Sequence, residues 1–115
     1  MAHHPAEWEI FFYQDRHGRN PVLEFVNGLP TKEQAKARNM FRLLHEFGIA
    51  LGMPHARHIE GKLWELRSGT IGLFYFVFTD RRLVILHGYR KRSGKAPKQE
   101  NEISIRRMEE LMEDV

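Results

Sequence analysis

The sequence contains no cysteine, so it forms no disulfide and offers neither a thiol nucleophile nor a thiolate metal site. It also lacks a long hydrophobic run. The longest strongly apolar stretch, IGLFYFVF, is far shorter than the roughly 20 residues that span a bilayer. The first residues, MAHHPAEWEI, lack the apolar core of a signal peptide. These absences predict a soluble cytoplasmic protein that is not associated with a membrane.

Internal repeats and low-complexity segments are also missing. The 115 residues are 42% hydrophobic and 11% aromatic, which is typical of a globular protein. A chain of this length can bury one modest core without disulfides. We therefore expect a single domain over residues 1–115.

Acidic residues are absent from one long segment. From Arg81 to Lys98 the chain has seven Lys or Arg residues and no Asp or Glu, whereas residues 99–115 carry six acids. The net formal charge of +3 favours an anionic partner, such as nucleic acid or an acidic protein, but is too small to decide alone. The basic stretch HGYRKRSGKAPK, residues 87–98, directly follows the apolar run LVIL and is therefore a candidate functional surface.

The first half of the chain predicts one strand and two helices. Residues 7–13, EWEIFFY, are rich in aromatic and branched side chains and precede a polar turn, which indicates a strand. Asn20 before Pro21 is typical of a helix N-cap with proline at the first helical position, and this short helix covers PVLEFVNGL. Thr31 and Gln34 match the capping-box pattern and predict the start of a longer helix.

This second helix has one apolar side and ends at Gly48. Its apolar residues recur at spacings of three and four. They are Ala37, Met40, Phe41, Leu44 and Phe47. Residues 49–61, IALGMPHARHIEG, contain two glycines and a proline, so they are interpreted as a loop that leads into a sheet.

Three strands and a closing helix are predicted in the second half. The strands KLWELR, IGLFYFVF and LVILHGY are joined by links short enough for antiparallel hairpins. Pro97 can occupy the first turn of a helix over residues 98–115, with Ile105, Met108 and Met112 facing the sheet. The predicted class is α+β, with one small antiparallel sheet and its helices forming a pair of layers.

Four motifs accompany these elements: PVLEFVNGLP in the first helix, GKLWELR at the entry to the meander, LFYFVF at its centre and LVILHGYRKRSGKAPKQE at its exit. Together they resemble the phage-derived, HigB-type branch of the RelE/ParE toxin superfamily, from about Trp8 to Met108. The resemblance implies a toxin of a type II toxin–antitoxin pair, with a HigA-like helix-turn-helix antitoxin as partner. Many members cleave mRNA on the translating ribosome without a metal or another cofactor, whereas ParE-like members inhibit DNA gyrase.

One position departs from the pattern of that superfamily. Its central strand usually carries an Arg just before an aromatic pair, as in Y-R-x-x-Y-F, where this chain has Gly72 within IGLFYF. Glycine cannot supply a phosphate contact. Lys91 is retained and is followed by Arg92, so these two cations remain for binding phosphate.

Cutting RNA without a metal requires a base near the 2′-hydroxyl, cations on the developing phosphorane charge and an acid for the leaving 5′-oxygen. Arginine suits the phosphate because its planar fork binds two oxygens. In a meander, the strand end at Arg67 can converge with the strand end after Tyr89. The catalytic candidates, in part implied by the resemblance, are Arg67, His87, Tyr89, Lys91 and Arg92. His87, Tyr89 and Lys91 are the candidates for base or acid, and their roles stay open.

The remaining cations around these strand ends are predicted to contact RNA. They are Lys62, Arg90, Lys95 and Lys98. Each candidate also has a purely structural interpretation. The basic stretch could be a solvated exit loop, and Arg67 could be an ordinary strand-edge residue. His87 could be a hydrogen-bonded core residue, and Tyr89 could serve packing alone.

Two further groups of residues are of types that can bind a ligand. The aromatic residues could form a base-stacking platform, but their continuous run favours the core of a strand that is buried on both faces. They are Trp64, Phe74, Tyr75, Phe76 and Phe78. His55 and His58 lie in a predicted loop without cysteines or paired acids, which argues against a metal site.

The leading hypothesis is a ribosome-dependent, metal-independent mRNA endonuclease that inhibits translation. One alternative is a non-enzymatic, ParE-like toxin that acts on DNA gyrase. The other is an inactive nucleic-acid-binding relic of the same fold.

Overall fold

A computed structural model describes residues 7–52, 55–91 and 98–113. In chain order the elements are β1 (Glu9–Phe12), α1 (Pro21–Asn27), α2 (Thr31–Phe47), β2 (Ala56–Glu60), β3 (Leu63–Ser68), β4 (Ile71–Thr79), β5 (Arg82–Arg90) and α3 (Lys98–Glu113), with a short 3-10 turn at Gly48–Ala50 after α2. The predicted α+β class is confirmed.

The five strands form one sheet in the order β1-β5-β4-β3-β2. The pairs β2–β3, β3–β4 and β4–β5 are antiparallel, as the short hairpin links predict. Strand β1 instead pairs in parallel with β5, with Glu9 opposite Arg82 and Phe12 opposite Ile85. The expectation of a wholly antiparallel sheet is therefore wrong at this edge. A local turn fixes the direction of a neighbouring strand, but most of the chain separates β1 from β5.

The predicted loop over residues 49–61 contains the edge strand β2, which was missed. Only Ala56 of this strand is buried, and its other side chains are at least partly exposed. It therefore has no apolar period from which a strand could be predicted. Its backbone hydrogen bonds with β3 form the strand, with an irregularity in register between His58 and Glu60.

The helices cover both faces of the sheet, so the arrangement has three layers where a layer pair was expected. Helices α1 and α2 pack on one face, called here the α1/α2 face, and α3 packs on the other, called the α3 face. Residues Ile71–Phe76 of β4 are buried, which confirms a central strand enclosed on both sides. Trp64, in contrast, is partly exposed. None of the described helices is long and apolar enough to cross a membrane.

The start of α1 is confirmed, but the capping box of α2 is wrong. The Asn20 side chain accepts a hydrogen bond from the Leu23 backbone N–H at 3.1 Å. The N-cap of α2 is Pro30, which has no side-chain cap. Gln34 instead donates from Nε2 to the carbonyls of Asn27 and Leu29, at 3.1 and 2.9 Å. It therefore satisfies carbonyl groups at the end of α1, and it ties the two helices together.

The apolar side of α2 follows the prediction except at its end. Ala37, Met40 and Leu44 are buried, and Phe41 packs edge-on against Phe12. Phe47 is exposed, because the inward position one turn after Leu44 belongs to Gly48. Gly48 ends α2 with φ of 49°, and an added Cβ would lie 2.1 Å from the Trp8 indole, so only glycine fits.

Helix α3 buries Ser104 and Met108, and Ile105 and Leu111 pack beside them. Met112, which was expected to face the sheet, is exposed, because the inward row continues at Leu111. The predicted N-terminal Pro97 lies outside the described residues.

Replacing Met108 with Asp should lower the free energy of unfolding by about 2 kcal/mol or more, because it buries an unpaired charge. Met112→Asp on the same helix is the matched control and should change stability by less than about 0.5 kcal/mol. Chemical denaturation monitored by circular dichroism measures both. Equal stability of the two variants would show that α3 does not dock as described.

Candidate functional site

A β-bulge in β5 turns the candidate residues His87 and Tyr89 toward α3. Phe74 of β4 lies opposite His87, and the next residue of β4 lies opposite Ile85, so Leu86 is an extra residue. Strict alternation would place His87 on the same face as Ile85. The bulge instead directs His87 and Tyr89 to the α3 face, where their rings stack on Phe74 at centroid distances of 6.2 and 5.5 Å.

Gly72 leaves a space on this face that other side chains fill. It lies directly opposite Arg67 on one side and Tyr89 on the other. A Cβ added to Gly72 would lie 2.4 Å from Cε1 of Tyr89 and 2.9 Å from Oε2 of Glu65. An Arg side chain at position 72 therefore has no room in this arrangement.

The buried carboxylate of Glu65 is the centre of the site. It is 0% exposed. Its Oε2 accepts a hydrogen bond from the Tyr89 hydroxyl at 2.5 Å, and its Oε1 accepts from Nε of Arg67 at 3.0 Å and from Nε of Arg57 at 3.2 Å. Because a buried carboxylate needs compensating donors and charge, these contacts explain how it is tolerated. We call these four residues the Glu65 cluster.

The Tyr89 phenol acts in this cluster as a hydrogen-bond donor. Burial raises its pKa far above the ordinary value, and the hydrogen bond to Glu65 and that residue's charge raise it further, against the opposing effect of Arg67. Tyr89 therefore stays protonated at neutral pH. With 4% of its surface exposed, it orients its neighbours and does not meet solvent.

Both ring nitrogens of His87 contact side chains of α3. Its Nε2 lies 2.9 Å from Oε1 of Glu100, and its Nδ1 lies 3.3 Å from Nη1 of Arg107. Since Arg only donates, Nδ1 accepts and Nε2–H donates to Glu100. Burial lowers the pKa of His87, an effect that Glu100 partly opposes. The ring is thus neutral at pH 7 and occupied by partners from this chain.

The other predicted cations lie at several places. Arg90 pairs with Glu33 of α2 on the α1/α2 face, with Nε at 3.2 Å from Oε2. Lys91 follows the end of β5 and is half-buried. Lys62 is exposed at the turn between β2 and β3, at the end of β3 remote from Arg67, and Lys98 is exposed at the first residue of α3. The predicted residues Arg92 and Lys95 lie outside the described residues.

Sequence reasoning missed Glu65 and Arg57. Alternation within LWELR places Glu65 and Arg67 on one face, and a carboxylate inside an otherwise apolar strand was the available signal. Arg57 was missed because β2 was interpreted as a loop. The register sets Arg57 directly opposite Glu65.

His55 and His58, which the sequence places in a loop, make contacts unrelated to metal binding, and His58 lies in β2. His58 lies on Trp64 with ring centroids 5.2 Å apart, and its Nε2 is 2.7 Å from the carbonyl of Gly61. The His55 carbonyl accepts from the Arg67 backbone N–H at 3.0 Å. Within residues 7–52, 55–91 and 98–113, no three His, Asp or Glu side chains are grouped to hold a metal ion.

Comparison with known proteins gave one family and a structural likeness. Residues 24–109 match the family described as "Phage derived protein Gp49-like (DUF891)". The fold is similar to that of a chain in the crystal structure of the toxin–antitoxin complex RelBE2 from Mycobacterium tuberculosis, with a TM-score of 0.54 and 16% sequence identity. The likeness covers 74% of this chain and 99% of that chain. No curated protein matches the sequence.

Proposed function

This chain belongs to the family of phage-derived, Gp49-like proteins, and from that membership and its fold we propose that it is the toxin of a type II toxin–antitoxin pair. The structurally similar chain comes from a toxin–antitoxin complex, which supports an antitoxin partner here. We propose further that the protein is of the HigB type, that its antitoxin is HigA-like, and that it cleaves mRNA on the ribosome without a metal.

The observation that supports this activity is the Glu65 cluster. Two guanidinium groups surround one buried carboxylate, so the cluster carries a net positive charge. The Arg67 side chain is 28% exposed and can therefore reach a ligand. A cation held in place by a buried hydrogen bond needs no reorganisation when negative charge develops on a substrate phosphate.

In the proposed reaction, the 2′-oxygen attacks the neighbouring phosphorus and the bond to the 5′-oxygen breaks. The 2′-hydroxyl proton passes to a base, and the leaving 5′-oxygen takes a proton. The products are a 2′,3′-cyclic phosphate and a 5′-hydroxyl. Arg67, Lys91 and Arg92 would stabilise the phosphorane charge, and Tyr89 would hold the cluster in position. Because His87 and Tyr89 are occupied by partners from this chain, we assign both proton transfers to Lys91: its amine takes the 2′-hydroxyl proton, is then the cation beside the phosphorane, and gives the proton to the leaving 5′-oxygen.

Arg67→Ala should reduce mRNA cleavage by roughly thirty-fold to several hundred-fold, the cost of about 2 to 4 kcal/mol for a lost transition-state contact. The assay is in vitro translation, with cleaved ends mapped and tested for 2′,3′-cyclic phosphate. Arg42→Ala, which removes an exposed cation on α2 away from the cluster, should cleave within about threefold of the parent, and melting temperatures verify folding. A folded Arg67→Ala variant with parental cleavage would contradict the assignment.

A non-enzymatic toxin that acts on DNA gyrase is the second candidate. The filled space at Gly72 favours it, because the strand arginine of the superfamily pattern is replaced by contacts within the protein. Intact mRNA together with inhibited supercoiling by purified gyrase would support this candidate. Cleaved mRNA with unaffected supercoiling would exclude it.

A further inference from the structure

Arg57 of the edge strand β2 shares a carboxylate oxygen with Arg67. Both Nε atoms lie within 3.2 Å of Oε1 of Glu65. The register puts Arg57 directly opposite Glu65, so its side chain reaches the same face as Arg67 from the neighbouring strand. The Glu65 carboxylate therefore holds the two guanidinium groups next to each other.

This anchoring leaves most of the donors of both arginines available. A guanidinium has five N–H groups, and the contact with Glu65 uses the one on Nε. Apart from Glu65 and the adjacent Tyr89 phenol, the part of the chain that the structure describes offers no other hydrogen-bond acceptor to either arginine. The Arg57 side chain is 46% exposed. Its terminal nitrogens can therefore meet a ligand from solvent.

The net positive charge of Arg57, Arg67 and Glu65 favours the binding of an anion. One buried carboxylate faces two cations, and it cannot turn toward solvent, since it is a fully buried residue in the middle of β3. The unbalanced positive charge therefore lies on the outer side of the two guanidinium groups. Planar guanidinium forks bind phosphate oxygens in pairs, which a lysine ammonium cannot do.

We propose that Arg57 is a second phosphate-binding arginine, which together with Arg67 holds one phosphodiester of an RNA strand. The inference rests on the proposed function, because it takes RNA as the substrate. In this proposal Arg57 of the edge strand β2 supplies a cation in place of the strand arginine that the superfamily pattern has at the position of Gly72. Glu65 is then the positioning residue that sets the spacing of the two forks.

The test is binding of a fluorescently labelled single-stranded RNA, measured by anisotropy over a series of salt concentrations. Arg57→Gln keeps a side-chain donor for Glu65 and removes the charge. It should bind about tenfold more weakly, as expected for one charge-assisted contact, and the slope of log K against log salt should fall by about 0.7. Arg42→Gln is the matched control, because Arg42 also pairs with a glutamate but lies on α2. It should bind as the parent does.

Arg57→Lys keeps the positive charge but removes the planar guanidinium, so it tests the two contributions separately. It should keep the parental salt slope and bind with intermediate affinity, and it replaces the Gln variant if that variant does not fold. Parental affinity of a folded Arg57→Gln variant, while Arg67→Gln weakens binding, would overturn the inference and leave the proposed function intact. A parent protein that neither binds nor cleaves RNA would overturn both. Loss of antitoxin binding alone would assign Arg57 to a protein contact and also overturn the inference.

Discussion

Glu65→Ala should lower the free energy of unfolding by about 3 kcal/mol, because three donors lose the acceptor that they share. The buried Tyr89 hydroxyl would be left without a partner, at a cost of about 1 to 3 kcal/mol. Arg57 and Arg67 would lose the negative charge between them, although water can reach both side chains and limits this part of the loss. Chemical denaturation at neutral pH measures the change.

The matched control is Glu46→Ala, which removes the acid of an exposed pair with Arg42. Exposed pairs of this kind contribute little, so we expect a change below about 0.5 kcal/mol. If Glu65→Ala is no more destabilising than Glu46→Ala, the carboxylate does not organise the cluster. RNA cleavage by Glu65→Ala should also fall, since both arginines would lose their anchor.

Gly72→Ala should be destabilising by about 2 to 4 kcal/mol, although alanine normally suits a strand better than glycine. The added methyl group would overlap the Tyr89 ring, at 2.4 Å from Cε1, and would press on Glu65. Gly52→Ala is the matched control, because among the described residues, apart from its chain neighbours, no atom lies within 4 Å of its Cβ position. That change should be neutral or slightly stabilising.

A double-mutant cycle identifies the cause of the Gly72 effect. In a Tyr89→Ala background the ring is absent, so adding the methyl group at position 72 should cost about 2 kcal/mol less than in the parent. Additive effects of the two changes would contradict the close contact. The same geometry predicts that Gly72→Arg does not gain cleavage activity, because the new side chain cannot occupy the site without displacing Tyr89.

The regular elements could be predicted because their local signals agree with the fold. Asn20 and Pro21 start α1, Gly48 ends α2, and the short turns around β4 impose antiparallel hairpins. The edge strands were less predictable. The pairing of β2 with β3 and of β1 with β5 depends on contacts with the rest of the sheet. Neither the existence of β2 nor the parallel direction of β1 is therefore visible in a local pattern.

The candidate site was only partly predictable for the same reason. The resemblance pointed to Arg67 and Tyr89, and the structure brings both to Glu65. Arg57 joins them through cross-strand register, and the bulge at Leu86 decides which face Tyr89 occupies. Register and bulges depend on tertiary packing, so spacing along the sequence does not reveal them.

The parallel pairing of β1 with β5 also has a consequence for the order of folding during synthesis. Hairpins between neighbouring strands close short loops, whereas β1 must wait until its distant partner β5 has been synthesised. Tyr89 and the contacts of α3 with His87 also emerge late. A ribosome that has made only the first four strands therefore carries an incomplete sheet and an incomplete Glu65 cluster. The nascent chain therefore acquires its assembled basic site only after β5 and α3 have left the ribosome.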